Sequence, residues 1–158
     1  MTRRQYLQSI LHDALLTTVA QGINVRKTFV LSQHKNYPKP YAKAEIMPEA
    51  FSYERDEGGN VIVSSFDADA HFGIYAGVGI PTQDTEDGAL LEQENDRVAE
   101  ILVDAIHAFE YTDAVLDNGA ELVIRNVYIT GLIPAILDNE MTGNLLIEGV
   151  IEYSQNPP

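Results

Sequence analysis

The chain has 158 residues, of which 45% are hydrophobic, 22% are charged and none is cysteine. A chain of this length forms one domain, here residues 1–158, and buries roughly two-thirds of its unfolded surface, so folding requires neither a disulfide nor a metal. The absence of cysteine excludes thiol catalysis and zinc–cysteine sites. The formal net charge of −14 argues against nucleic-acid binding, which depends on Lys and Arg displacing counterions from phosphates.

The N-terminal third is predicted to contain one amphipathic helix followed by an extended segment. Apolar residues recur at helical spacing over residues 4–21, and Gly22 is placed as the C-terminal stop. A short strand or sheet edge is predicted within residues 23–31. Two prolines then favour an extended, turn-rich connection to a strand at residues 41–47.

The middle of the chain is predicted to form a long β-hairpin. Residues 51–55 and 61–77 flank a turn at residues 57–60, whose two glycines suit a tight reversal. The second strand alternates strictly, which is typical of a half-buried antiparallel strand. One side carries Phe66, Ala68, Ala70, Phe72, Ile74 and Ala76, and the other carries Asp67, Asp69, His71 and Tyr75. Its length indicates a ribbon that projects past the sheet.

The C-terminal half is predicted to contain an acidic loop, a second helix and two strands. The loop covers residues 79–88, the helix residues 90–109, and the strands residues 121–130 and 145–153. Residues 153–158 are expected to form a loose tail. Together these elements predict a two-layer α+β fold, with a mainly antiparallel twisted sheet, two helices on one face and a long hairpin arm.

The charge is distributed unevenly along the chain. Residues 1–55 contain eight basic and four acidic residues, whereas residues 56–158 contain two basic and twenty acidic residues. Opposite charges of this kind meet either within one fold or between neighbouring copies of it. The basic side chains either belong to a solvated loop or form an interface with acidic residues of a neighbouring copy. The expected interface residues are Arg26, Lys27, Lys35, Lys39, Asp84, Glu86 and Asp87.

Two sets of residues resemble catalytic or metal-binding groups. Asp67, Asp69 and His71 share one strand face and are usable metal ligands, which defines a small metal-dependent hydrolase as one alternative function. Glu148 and Glu152 also share a strand face, as acid pairs in glycosidases do. A solvated or interface face produces the same spacing and is the preferred interpretation of both sets. We therefore assign no catalytic residue, cofactor or metal.

The order of elements resembles the tail terminator and tail-completion proteins of long-tailed, lambda-type bacteriophages. The resemblance is one of architecture, without a diagnostic residue motif, and it covers nearly the whole chain. It rests on a helix at Arg4–Gln21, an aromatic and acidic strand at Ala44–Glu54, a long alternating segment at Val61–Gly77, a helix after an acidic loop, and a closing strand pair ending at Gly149–Tyr153.

The resemblance implies a structural virion subunit made in the cytoplasm of a bacterial host. Such proteins form a ring, commonly hexameric, that caps the tail tube, ends its polymerisation and joins the head. The implied partners are further copies of the chain, the tail tube protein and a head-completion or connector protein, with no membrane. DNA passes through the ring without specific binding, and Asp67, Asp69, Glu148 and Glu152 are the expected lumen-facing acids.

Two other functions remain open beside this one. A head–tail connector or neck-completion protein is the nearest alternative to a tail terminator. An acidic protein that mimics DNA and inhibits a nuclease or repressor is an alternative of a different class, because it binds a basic partner as a monomer or dimer.

Overall fold

A computed structural model describes residues 1–28, 37–48, 56–60, 65–79, 88–136 and 142–158. The elements in chain order are helix α1 (Arg3–Leu16), a 3-10 helix (Val19–Gln21), β1 (Asn24–Val25), β2 (Tyr41–Ile46), β3 (Phe66–Gly79), α2 (Gly88–Ala108), β4 (Ala114–Val115), β5 (Glu121–Ile136) and β6 (Thr142–Asn156). Within these ranges the strands form one sheet in the order β1-β2-β3-β6-β5-β4. The β1–β2 pair is parallel and the other pairs are antiparallel.

Hydrogen bonds from nearby side chains determine where helix α1 begins and ends. Thr2 forms a capping box with Gln5, which satisfies free amides at the helix start. The hydroxyls of Thr17 and Thr18 donate to carbonyls of the last turn, at 2.7 and 2.6 Å, and such bonds compete with continuation of the helix. The predicted helix over residues 4–21 is therefore divided into α1 and the 3-10 helix. Gly22 ends the latter with φ +89°, as predicted.

Both helices and one face of the sheet enclose a single hydrophobic core, which confirms the two-layer α+β prediction. We call this face of the sheet the covered face. The core includes Leu7, Leu11 and Leu15 of α1, Val98, Leu102 and Ile106 of α2, and Ala42, Ala44, Ile46, Ala70, Phe72, Ile74, Ala76, Leu122, Ile147, Ile151 and Tyr153 of the strands. The predicted alternation of β3 is confirmed, because its even-numbered residues from Ala70 to Val78 are buried.

Two glycines lie directly opposite aromatic rings on neighbouring strands. Gly149 of β6 pairs with Phe72, and a Cβ on this glycine would overlap the Phe72 ring and lie 2.7 Å from the carbonyl oxygen of Tyr128. Gly77 of β3 pairs with Tyr41, and a Cβ there would overlap the Tyr41 ring. Glycine is required at both positions because an aromatic side chain occupies the space of a β-carbon.

Strand β3 lies in the interior of the sheet. It pairs with β6 along its whole length, from Phe66 opposite Gln155 to Gly79 opposite Thr142, and with β2 on its other side. The part of the predicted projecting ribbon from Phe66 onwards is therefore integrated into the sheet. Among the described strands, the longest pairing of consecutive strands is that of β5 with β6. The predicted strands at residues 51–55 and 61–64 lie outside the described residues. The turn between them is present, with Gly59 at φ +83°.

The prediction of a loose tail from residue 153 is wrong for most of that segment. Tyr153 is fully buried in the core, and β6 continues to Asn156, which pairs with Glu121 of β5. The side chain of Arg3 also donates to Gln155 Oε1 at 3.2 Å. The polar residues after Tyr153 lie on a paired strand, and only the two C-terminal prolines follow it.

The free edge of β2 is covered by side chains of α1. The Gln8 amide donates to the carbonyl oxygen of Ala44, and its oxygen accepts from the Ile46 amide at 2.9 Å. Arg4 Nη2 donates to the Ile46 carbonyl at 3.0 Å. Gln8 thus occupies the position of a neighbouring strand, which is one way in which proteins block an unpaired sheet edge.

The outer edge of β5 beyond its pairing with β4 is covered in a similar way. The amide of Ile124 donates to Asp113 Oδ1 at 3.0 Å, and the amide of Ile129 donates to His107 Nε2 at 3.2 Å. Pro134 lacks an amide donor, and within sheets proline is largely confined to edge strands.

No helix in the described ranges is both long and apolar enough to cross a bilayer.

Candidate functional site

The face of the sheet opposite the helices carries most of the candidate residues, and we call it the open face. Strand alternation directs to this side the residues that β2, β3, β5 and β6 do not contribute to the core. The described side chains on the open face include Lys43, Glu45, Asp67, Asp69, His71, Tyr75, Tyr128, Glu148, Val150 and Glu152.

Four carboxylates line up along the pairing of β3 with β6. Asp69 lies directly opposite Glu152, and Asp67 lies opposite Ser154, whose hydroxyl donates to it at 2.6 Å. Glu148 continues the line four residues from Glu152, beside Gly73. At about 3.4 Å per residue, the line is roughly 20 Å long. We call these four residues the acidic row. The structure thus brings together the four acids that were predicted to face a lumen, although their order was not predicted.

The electrostatics of the acidic row extend to β5. Partial burial, followed by the charges of Glu152 and Asp69, raises the pKa of Tyr128, whose ring lies beside the row. Arg125 contributes a positive charge, with its Nη1 3.9 Å from Glu152 Oε2. This arrangement leaves a predominantly negative surface with one phenol at its border.

The geometry of the acidic row does not suit a compact metal centre. Adjacent positions on one strand face are about 7 Å apart, and Asp67 is engaged by Ser154. In the described part of the chain, no three His, Cys, Asp or Glu side chains converge closely enough to hold a metal ion. The metal-dependent hydrolase with Asp67, Asp69 and His71 therefore gains no support from these residues.

The predicted interface residues are divided between described and undescribed parts of the chain. Arg26 and Lys27 follow β1, and the guanidinium carbon of Arg26 lies 3.6 Å from the centroid of the Tyr37 ring. Lys39 is partly exposed just before β2. Lys35 and the acidic loop residues Asp84, Glu86 and Asp87 lie outside the described residues.

A cleft of about 370 Å³ separates Arg26 and Lys27 from the polar side of α1. We call it the basic cleft. His12 lies on its helical wall, where burial, followed by the charge of Lys27, lowers the His12 pKa below its ordinary value. Asp13 is the one carboxylate among the described lining residues. The cleft therefore presents an excess of positive charge.

Sequence reasoning missed a second concave surface, a groove of about 510 Å³ between the 3-10 helix and α2. Glu100 and Asp104 lie one helical turn apart on its rim, and Ile101 and Ala105 line the groove beside them. We call it the acidic groove. The sequence did contain a signal for this groove. Acidic residues at positions i and i+4 with apolar residues beside them indicate a helix face that is partly buried and partly exposed.

The sequence also did not indicate that Lys43 is a buried residue that contributes to packing. It is only 8% exposed, donates to the Ala44 carbonyl at 3.0 Å and forms an ion pair with Glu45, which also lies 3.7 Å from Arg4. Three basic residues of the N-terminal third thus contribute to packing or to edge contacts, namely Arg3, Arg4 and Lys43. Arg26 and Lys27 are left as the described pair at the basic cleft.

Comparison of the sequence with models of known protein families gives no match, and comparison with curated proteins gives none. The features of this chain that bear on its function are therefore the fold, the acidic row and the two concave surfaces.

Proposed function

We propose that this protein is a structural virion subunit that assembles into a ring, caps a phage tail tube, ends its polymerisation and provides the surface that joins the head. The open face lines the channel of that ring. The acidic row is the observation that carries the proposal, because four carboxylates on one broad sheet face suit a surface past which DNA moves without being held.

The carboxylates of the acidic row repel the phosphates of DNA. Proteins hold DNA chiefly through Lys and Arg side chains that release counterions from phosphates. A channel wall with Asp67, Asp69, Glu148 and Glu152 offers no such contacts and repels the phosphate backbone at short range. The charge of Arg125 is partly balanced by Glu152, 3.9 Å away.

The overall architecture supports a role in assembly in preference to catalysis. The acidic row is extended along two strands, and the basic cleft and the acidic groove are open concavities on other parts of the surface. Extended, oppositely charged surfaces are suited to contacts between proteins. A head–tail connector or neck-completion ring would use the same features and differs in its partners.

The proposal is tested first by the oligomeric state of the purified protein. Mass photometry over a range of concentrations should give one main species at a fixed multiple of the 17.5 kDa protomer, and electron micrographs of that species should display rings with an opening. A monomer or dimer that binds a basic protein in a salt-sensitive manner would contradict the ring and favour the DNA-mimic alternative.

The lumen assignment is tested by a charge reversal on the open face. Asp69→Lys together with Glu152→Lys should leave the ring mass unchanged and give the ring measurable affinity for double-stranded DNA at low salt. Glu92→Lys together with Asp96→Lys, on the exposed side of α2, provides a control with the same change in net charge. Equal DNA binding by both variants would contradict the placement of the open face in the channel.

A further inference from the structure

The basic cleft and the acidic groove lie in different parts of the surface and share none of their described lining residues. The cleft runs along the first three turns of α1 on the side facing β1, where Gln5 and His12 form its wall. The groove lies beyond the C-terminal end of α1, between the 3-10 helix and α2, where Ala20 and Ile101 face each other. One molecule thus carries two complementary surfaces that are separated from each other.

The charge of the basic cleft is not neutralised by the described residues around it. Lys27 is exposed and forms no ion pair with any of them, and Arg26 stacks on Tyr37 with its Nε near the carbonyl of Thr28 at 3.4 Å. Lys27 also contributes, after burial, to lowering the pKa of the neighbouring His12. A carboxylate entering the cleft would meet two cations against the single carboxylate of Asp13.

The carboxylates of the acidic groove are likewise not neutralised by the described residues around them. Glu100 and Asp104 are exposed on its rim and form no ion pair with a described residue. Arg97 also lines the groove, but both of its contacting nitrogens bind Glu94, at 2.9 and 3.0 Å, and this hydrogen bond raises the Arg97 pKa. Arg97 therefore does not neutralise the rim.

Apolar side chains beside the acidic groove supply surface that a partner can bury. Leu16 and Val19 are 45% and 52% exposed, and each is next in sequence to a residue that lines the groove, Thr17 and Ala20 respectively. Charge complementarity alone contributes little to affinity at an exposed site, because water and salt screen it. Apolar burial next to the charges provides the non-specific part of the binding free energy.

We propose that the acidic rim of the groove in one copy, Glu100 and Asp104, binds in the basic cleft of the next copy, against Arg26 and Lys27. Because the two surfaces differ, the contact is head-to-tail, and a pair of bound copies still presents one free surface of each kind. Such contacts close into a ring when the rotation between copies permits. The inference names the protomer interface of the proposed ring and in that sense rests on the proposed function.

The test is a charge swap across the interface. Lys27→Glu and the pair Glu100→Lys with Asp104→Lys should each weaken association on the order of tenfold at low salt, since each places like charges together. Combining all three substitutions in one chain should restore association to near the wild-type level. Sedimentation velocity and mass photometry at two salt concentrations give the measurement, and circular dichroism verifies that each variant is folded.

A control variant and the contrary outcomes distinguish failure of the interface proposal from failure of the ring proposal. Glu57→Lys with Glu110→Lys alters the net charge by the same amount at exposed positions that line neither the groove nor the cleft, and should leave association unchanged. A wild-type ring whose mass is insensitive to every reversal, or a combined variant that fails to reassociate, overturns the interface while leaving the ring proposal intact. A wild-type protein that remains monomeric at all concentrations overturns both.

Discussion

The covered face and the open face of the sheet are built from alternate residues of the same strands, yet their chemistry differs completely. On the covered face, Phe72 and Ile147 are buried in a core that includes both helices. On the open face of the same two strands, Asp69 and Glu152 lie opposite each other as two like charges. Because side chains alternate across a sheet, the open face can change in charge without altering the packing of the core.

The largest expected effect tests the covered face. Gly149→Ala should destabilise the protein by about 3 kcal/mol, because the new methyl group overlaps the Phe72 ring and approaches the Tyr128 carbonyl oxygen. Urea denaturation followed by circular dichroism measures the change in the free energy of unfolding.

Gly131→Ala is the matched control for that substitution. Gly131 lies in the neighbouring strand β5, and a Cβ there would meet only a carboxylate oxygen of Glu148 at 3.9 Å. Its stability should remain within about 0.5 kcal/mol of the wild type. If the two alanine variants unfold at the same urea concentration, close packing of Phe72 on Gly149 is not what requires glycine at position 149.

A smaller effect, of opposite sign, tests the open face. Asp69→Asn removes one charge of the directly opposed Asp69–Glu152 pair and should stabilise the fold by about 0.5 kcal/mol at low salt. It should also lower the pKa of Tyr128, since the charge of Asp69 contributes to raising it. Urea denaturation gives the first quantity, and spectrophotometric titration compared with Tyr128→Phe gives the second.

Salt distinguishes this electrostatic effect from a packing effect. At about 1 M salt the screening length falls to about 3 Å, so the stability advantage of Asp69→Asn should largely disappear. Asp96→Asn, on the exposed surface of α2, should alter neither quantity. An advantage that persists undiminished at high salt would show that repulsion within the acidic row is not its cause.

The smallest effect concerns a side chain outside the sheet. Burial and Lys27 lower the pKa of His12 in the folded protein, so the unfolded chain binds a proton more readily. Stability should therefore fall as the pH drops from 7 through the ordinary histidine value of about 6.5. His12→Gln should lose less stability than the wild type between pH 7 and pH 5.5.

The pH range above the titration provides the control for His12. Urea midpoints of the wild type and His12→Gln should vary in parallel between pH 7.5 and pH 8.5, where histidine is neutral in both states. A wild-type stability that declines no faster than that of the variant below pH 7 would contradict the lowered pKa.

Regular periodicity made the covered face predictable from sequence. The alternation of residues 66–76 identified β3 and its buried side, and helical spacing identified α1 and α2. Local patterns do not specify which strands become neighbours, so the interior position of β3 and the continuation of β6 past Tyr153 were not foreseen. Polar residues near a chain end have the same composition in a loose tail and in a paired strand.

The candidate surfaces were predictable only in part. Spacing placed Asp67 with Asp69 and Glu148 with Glu152, but only the β3–β6 register brings the two pairs together. The acidic groove forms because α2 packs beside the 3-10 helix. These two elements are about eighty residues apart in the chain, so local sequence patterns do not reveal their contact. Charge counts identified an excess of basic residues near the N-terminus, yet they did not separate Lys43, used in packing, from Lys27.

The side-chain coverage of the sheet edges bears on how growth of an assembly is limited. Two sheets with free edges add strands to each other without a natural end, and the product is an open-ended fibre. Gln8 and Arg4 block this route at β2, and Asp113, His107 and Pro134 restrict it at β5. In the proposed ring, pairing of backbone edges between copies is thereby disfavoured, which leaves the contacts between side-chain surfaces to set the number of copies.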